Sequence, residues 1–164
     1  MRRGDRRTEL LLQVLDGAFT ARGWQGTTLS GALRGLGPRE ALWRPGPRRH
    51  NVWELVLHAA FWKHIVRLRV EGRPGSEAFP RPGRNFPKLP ARTDAAAWKA
   101  DVALLKRQHE LLRRAVERLP ASRIGARVGR SRWTAAEVLF GVAAHDVYHT
   151  GQIQLLKTLR RRAG

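Results

Sequence analysis

Apolar residues recur at every third or fourth position in four long stretches of the chain, and no stretch alternates apolar and polar residues. This spacing places the apolar side chains on one face of an α-helix, whereas a half-buried β-strand requires alternation. The chain also shows no internal repeat with a period of about 20–50 residues. We therefore predict an all-α protein, and the length of 164 residues suits a single domain, residues 1–164.

Capping residues and helix breakers set the expected bounds of these helices. Asn51 is a suitable N-cap for the second helix, and Thr134 with Glu137 has the spacing of a capping box at the start of the fourth. Pro120 ends the third helix, because proline lacks the backbone N–H that a helix interior requires. The predicted ranges are 5–22, 52–70, 95–119 and 134–161, with an extra short helix near 28–36.

The stretch between the second and third predicted helices, about residues 72–92, is unsuited to a regular helix. It contains five prolines and three glycines. A loop of about 20 residues exceeds ordinary connections, and such loops are usually functional or disordered. Phe79, Phe86 and Leu89 are apolar anchors, so we expect this loop to pack across a surface. Four long helices joined by one long crossover and shorter links predict a four-helix bundle.

The net charge of +19 comes from 32 Lys or Arg residues against 13 Asp or Glu residues. A strongly basic chain attracts nucleic acids and anionic small molecules. The arginines occur in every segment, so the charge predicts only non-specific affinity for nucleic acid. No apolar run approaches the ~18–20 residues that span a bilayer, and no secretory h-region follows the basic N-terminus. We expect a cytoplasmic protein without a membrane partner.

His145 and His149 lie one helical turn apart on the same face of the fourth predicted helix. Cysteine is absent, so a metal ion would be held by imidazole or oxygen ligands. Two imidazoles at this spacing can hold one divalent ion. The alternative is a pair of core histidines whose nitrogens find hydrogen-bond partners. An HxxxH pair without an internal glutamate leaves both interpretations open.

His58 lies on the apolar stripe of the second predicted helix. If the bundle points this ring at the histidine pair of the fourth helix, three imidazoles form a site with open coordination positions, which is typical of catalytic centres. Glu54, one turn earlier, either accepts the non-ligating N–H of His58 or is a solvated charge. His109 is the one rival ligand, and a core or interface position suits it better. His64 points away from this face, so we expect it at the surface.

Two segments resemble the signatures of the DinB/YfiT-like superfamily. One is WRPGPRRHNVWELVLH over 43–58, and the other combines WTAAEVL over 133–139 with HDVYHTGQI over 145–153. The loop sequence FPRPGRNFP over 79–87 is also similar to that of the family. The resemblance covers the chain from about residue 8 to residue 160.

The resemblance implies a four-helix bundle in which His58, His145 and His149 bind one divalent metal ion per chain. Zinc, nickel, iron and manganese are candidates. The resemblance also implies a homodimer. Characterised relatives include S-transferases and isomerases that use low-molecular-weight thiols, together with metal-dependent hydrolases. The expected function is therefore that of a metal-dependent enzyme, either a thiol S-transferase or a hydrolase.

Two other functions stay open. One is a non-enzymatic, stress-associated or nucleic-acid-binding protein, and the other is a metal-stabilised dimeric scaffold. A low-molecular-weight thiol or another anionic small molecule would be bound by arginines near the mouth of the site. The candidates, each of which is otherwise a solvated charge, are Arg44, Arg48, Arg81 and Arg84. The sequence indicates no catalytic acid or base, since Gln152 does not titrate and Tyr148 is expected to be packed.

Overall fold

The computed structural model describes residues 5–20 and 23–163. Every regular element in these two ranges is a helix, so the all-α prediction is confirmed. The seven helices are α1 (Arg6–Phe19), α2 (Leu29–Ala32), α3 (Pro38–Leu42), α4 (Val52–Val70), α5 (Ala95–Glu117), α6 (Ala121–Ile124) and α7 (Ala135–Ala163). None of the described helices combines the length and the apolar character that crossing a membrane requires.

The long helices begin and end close to their predicted positions. α4 has the predicted bounds, α5 ends two residues early, and α7 continues two residues further. α1 ends at Phe19, and Arg22, its predicted end, lies outside the described residues. The short helices α3 and α6 were not predicted. α3 begins just after the end predicted for the extra short helix, and Pro38 occupies its first turn, where the missing N–H has no intrahelical partner to lose.

The predicted N-cap Asn51 and the predicted capping box at Thr134 are both present, and Asn51 also forms a capping box with Glu54. The side chain of Asn51 accepts from the backbone N–H of Glu54 at 2.9 Å, and that of Glu54 accepts from Asn51 N at 3.1 Å. Thr134 Oγ1 accepts from the N–H of Glu137 at 3.2 Å, and the Glu137 carboxylate accepts from Thr134 N at 2.7 Å. These contacts fix where α4 and α7 begin, and they therefore fix which residues face the interior.

The four long helices contact one another in pairs. α4 packs against α5 and α7, while α1 packs against the same two helices. Two apolar clusters fill the interior, one around Trp53 and Leu105 and the other around Leu15 and Leu139. α4 is the central helix, because fourteen of its nineteen residues are buried. Polar residues on α4 must therefore find partners inside the protein.

A chain of polar contacts, most of them buried, connects the four long helices. Lys63 of α4 forms an ion pair with Asp146 of α7, and both side chains are fully buried. Lys63 Nζ also lies 3.5 Å from Nδ1 of His109 in α5. Nε2 of His109 donates to the carboxylate of Asp16 in α1 at 3.1 Å. His109 thus occupies the core position that we favoured, with both ring nitrogens already engaged.

We expect His109 to make the stability of the protein depend on pH. Burial, followed by the positive charges of Lys63 and Arg113, lowers the pKa of His109 to about 2. A histidine in the unfolded chain titrates near ~6.5. Because the unfolded state then binds more protons, the free energy of unfolding falls as the pH decreases below that value. In the His109→Gln variant, the slope of the unfolding free energy against pH should be smaller by roughly 1.4 kcal/mol per pH unit between about pH 6 and pH 4, which corresponds to one proton at most.

Urea unfolding in the presence of a metal chelator measures this slope for each variant. Leu112→Ala is a suitable control, because it truncates a buried side chain of α5 that does not titrate. It should lower the unfolding free energy by about 2–5 kcal/mol at every pH and keep the slope. Equal slopes in the wild type and the His109→Gln variant would contradict the prediction.

Candidate metal centre

Three histidine rings meet between α4 and α7. Nε2 of His58 lies 2.9 Å from Nε2 of His145, which lies 3.0 Å from Nε2 of His149. One ligand atom from each residue lies within 4.8 Å of the other two. Among residues 5–20 and 23–163, this is the only group of three or more His, Cys, Asp or Glu residues arranged so that it could hold a metal ion. The structure thus brings together the three histidines that the sequence singled out.

Helix geometry and helix packing each account for part of this arrangement. His145 and His149 lie on one face because four residues correspond to about one helical turn. His58 reaches them because the face of α4 that carries it packs against α7. The ring centroid of His58 lies 4.8 Å from the centroid of His145 and 4.8 Å from that of His149.

Hydrogen bonds determine which ring nitrogens carry hydrogen. Nδ1 of His58 donates to the backbone oxygen of Asn85 at 2.7 Å, and Nδ1 of His149 donates to Oε1 of Gln152 at 2.6 Å. Carbonyl oxygens only accept, so both Nδ1 atoms are protonated and the Nε2 lone pairs face the centre. Nδ1 of His145 is buried and has no hydrogen-bond partner among the described residues.

The three rings are neutral near pH 7 because they are buried. Burial lowers the pKa of His58 to about 4 and that of His145 to about 3, and it also lowers the pKa of His149. The imidazoles further disfavour protonation of one another, since each nearby positive charge would repel the next. Neutral imidazole is the form that binds a metal ion.

The cluster fits a divalent cation. Nε2 of His145 could donate a hydrogen to only one of its two neighbours. The lone pairs of the other two facing nitrogens would then repel each other unless a cation lay between them. Metal–nitrogen bonds of about 2.0–2.1 Å place neighbouring ligands roughly 2.8–3.4 Å apart at tetrahedral or octahedral angles. Two of the three Nε2 pairs have this separation. The donor set, three imidazoles, suits zinc and several transition metals.

Of the two alternatives for Glu54, the contact with His58 is wrong, and the carboxylate is paired within the protein instead of being a free solvated charge. The Glu54 carboxylate accepts from Arg44 at 2.6 and 2.8 Å and lies 3.1 Å from Nδ1 of His50. It also closes the capping box, so it turns away from the cluster. The backbone oxygen of Asn85 takes its place as the acceptor for His58. Sequence analysis missed Asn85, since a backbone carbonyl leaves no signature in the side-chain pattern.

The loop between α4 and α5 covers one side of the cluster. Its Phe86 ring is stacked between the rings of His50 and His58, with centroid distances of 3.8 and 4.1 Å. Asn85 has a positive φ of 56°, a conformation that asparagine tolerates better than most residues. Its side-chain oxygen accepts from Trp62 Nε1 at 2.9 Å. The loop packs on the protein as expected, and its three apolar anchors lie against the core.

The surface position expected for His64 is also wrong. Its side chain is only 2% exposed, because the loop passes over it. Nε2 of His64 lies 3.1 Å from the backbone oxygen of Glu77 and donates to it. The position of His64 around the helix axis does point it away from the histidine cluster. The loop covers that face of α4, so the residue is buried.

A cavity of about 730 Å³ opens beside the histidines. Its wall includes His58, His145 and His149, and the remaining lining residues are Pro45, Arg48, Arg49, His50, Leu55, Phe86, Tyr148, Gln152, Leu155, Leu156 and Leu159. Tyr148 was expected to be packed, but it is 63% exposed at this opening. Its hydroxyl accepts from Nε2 of Gln152 at 3.1 Å.

Of the four candidate arginines, one lines the cavity. Arg44 is paired with Glu54, and Arg81 is paired with the buried Asp101 at 2.6 Å. These two cations stabilise the fold and are not free to bind a ligand. Arg48 lines the cavity together with the neighbouring Arg49. Arg84 does not line this cavity.

Comparison with known proteins gives the family of the chain. No curated protein and no solved structure matches it. A family model described as the DinB superfamily matches residues 23–153, well over half of the chain. The matched range includes all three histidines of the cluster and the loop that covers them. The chain belongs to the DinB superfamily.

Proposed function

We propose that the protein binds one divalent metal ion through Nε2 of His58, His145 and His149, and that the ion serves an enzymatic reaction. The observation that carries this proposal is the convergence of three buried imidazoles whose Nε2 atoms face one another. Structural zinc sites are closed by four protein ligands, whereas three protein ligands leave room for a substrate. On this proposal the four long helices form a four-helix bundle, within one domain, around the site.

A divalent ion held by three imidazoles supplies Lewis acidity, which favours the deprotonated form of a water or a thiol. The protein's own groups prepare the site for it. Asn85 and Gln152 hold two of the rings in the tautomer that presents Nε2, and Phe86 excludes water from one side of His58. Any thiol must come from a substrate, since the chain contains no cysteine. The reaction classes that fit are S-transfer from a low-molecular-weight thiol and hydrolysis.

Metal analysis tests the ligand set. Protein purified without an affinity tag should contain roughly one divalent ion per chain. The double variant His145→Ala/His149→Ala should lose nearly all of it, because a single imidazole binds such ions weakly. His50→Gln provides a matched control: this imidazole lines the cavity but lies outside the cluster, so metal content should be retained. Full metal content in the double variant, with folding checked by circular dichroism, would rule the site out.

The same samples distinguish an enzyme from a metal-stabilised scaffold. Wild-type protein, the double variant and the His50→Gln control are tested for conjugation of low-molecular-weight thiols to electrophiles and for ester hydrolysis. Turnover that depends on the three histidines supports the enzyme. A chelator that lowers the melting temperature, in a protein that turns over none of these substrates, favours the scaffold.

Gln152 should tune the affinity for the metal without binding it. Replacing this residue with leucine removes the acceptor that orients His149. Loss of such a supporting contact weakens metal binding by about 10–100-fold. Gln154→Leu is the matched control, because it makes the same change two residues further along α7 at an exposed position. Competition for zinc against a chelating dye measures both variants, and equal affinities in the two would contradict the assigned role.

We also infer that two copies pair through α7. The exposed face of this helix carries Phe140, Ala144, Val147 and Gly151 and no charged side chain from 138 to 156. On a chain of net charge +19, an uncharged face lets two copies approach without bringing arginines together.

Sedimentation velocity should show a dimer that Val147→Glu converts to monomer. Lys99→Glu on the exposed side of α5 is the control, and dissociation by both variants alike would contradict this interface.

A further inference from the structure

The lining of the cavity beside the histidines contains two chemically different groups of residues. Arg48 and Arg49 belong to the segment that connects α3 and α4. Leu155, Leu156 and Leu159 belong to the last turns of α7. The three imidazoles line the same cavity. A ligand that fills this space would therefore meet cations, the metal centre and an aliphatic surface together.

The two arginines in the lining are not neutralised by carboxylates of the described residues. None of the residues that line the cavity is acidic. Arg48 and Arg49 form no ion pair with any carboxylate in the described ranges, whereas Arg44, Arg81 and Arg113 do. Two adjacent cations without a carboxylate partner favour a carboxylate or phosphate group on the ligand.

Two of the three leucines that α7 contributes to the lining are exposed to solvent, although water offers an aliphatic side chain no favourable contact. Leu155 is 58% exposed and Leu159 is 37% exposed, and they lie one turn apart on α7. Leu156, between them, is largely buried and continues the same surface into the cavity. A hydrophilic ligand would gain nothing from these side chains, whereas an alkyl or aryl group would be removed from water on binding.

We propose that this cavity binds an anionic amphiphile, with the carboxylate or phosphate directed to Arg48 and Arg49 and the apolar group lying on Leu155 and Leu159. The observation that carries the proposal is that two arginines without an ion pair among the described residues and two exposed leucines line the same cavity. Its volume of about 730 Å³ lies within the range of small-molecule sites, about 300–1,000 Å³. This proposal rests on the proposed function, because it names the class of substrate that the same site would bind.

Calorimetric titration of the full chain with three probes tests this assignment. Octanoate carries both the anionic group and the alkyl chain, acetate carries only the former, and octanol lacks the charge. Octanoate should bind about tenfold or more tightly than acetate, since even a few buried methylenes supply that factor. It should also bind about tenfold more tightly than octanol, because charged hydrogen bonds to arginine are lost in the alcohol.

Two double variants separate the contribution of the arginines from that of the leucines. Arg48→Gln/Arg49→Gln should weaken octanoate by about tenfold and leave octanol unchanged. Leu155→Gln/Leu159→Gln should reduce octanoate to the affinity of acetate. The matched controls are Arg127→Gln/Arg130→Gln, an exposed arginine pair outside the cavity, and Leu10→Gln, an exposed leucine of α1. Both controls should bind octanoate as the wild type does.

Three results would overturn the proposal. The first is equal binding of octanoate and acetate, and the second is an Arg48→Gln/Arg49→Gln variant that weakens octanoate no more than the arginine control does. The third is a leucine double variant that dissociates a dimer and keeps the affinity for octanoate. The last result would assign the leucines to an interface between copies. Metal content, measured on every sample, keeps this test separate from the metal site. Full metal content without selective octanoate binding would contradict only the amphiphile proposal. Selective octanoate binding by protein that contains no metal would contradict only the metal proposal.

Discussion

Lys63 of α4 and Asp146 of α7 form an ion pair in the interior, and neither side chain is accessible to solvent. Asp146 directly follows His145, so the ion pair and the histidine cluster lie next to each other along the same helix contact. Removing water from two charges is costly, and leaving one of them unpaired costs about 3–5 kcal/mol. A rotation or a one-turn shift of α4 against α7 would separate these charges. The ion pair therefore restricts the two helices to the register in which His58 faces the other two rings.

Polar groups on α4 also explain why a loop rich in proline and glycine is ordered. α4 is buried on nearly every side, so its polar side chains need partners inside the protein. α7 supplies Asp146 to Lys63, and the loop between α4 and α5 supplies partners to others. Backbone oxygens of the loop meet this need by accepting from His58 and His64, and the Glu77 carboxylate accepts from Arg67. The loop thus replaces water as the hydrogen-bond partner of α4. Its position and the tautomer of His58 are consequences of the same contacts.

The large positive charge becomes easier to interpret once the ion pairs are known. Arg44, Arg67 and Arg81 are each engaged by carboxylates of the fold. Such residues contribute to the net charge but are not available to a partner. Arg48 and Arg49 differ because they face a cavity with no acidic group in its wall. Proximity in sequence could not separate these cases, since Arg44 and Arg48 belong to the same connecting segment.

Local sequence determined the all-α class, the bounds of the long helices and the shared face of His145 and His149, because capping and helical periodicity depend on residues within a turn or two of one another. The motifs also indicated the family, which the family comparison confirmed. Tertiary structure decided the partner of His58, the burial of His64 and the ion pair of Lys63. These features depend on the approach of segments that are distant in the sequence, and no local pattern specifies which backbone carbonyl or which charge will lie opposite a given side chain.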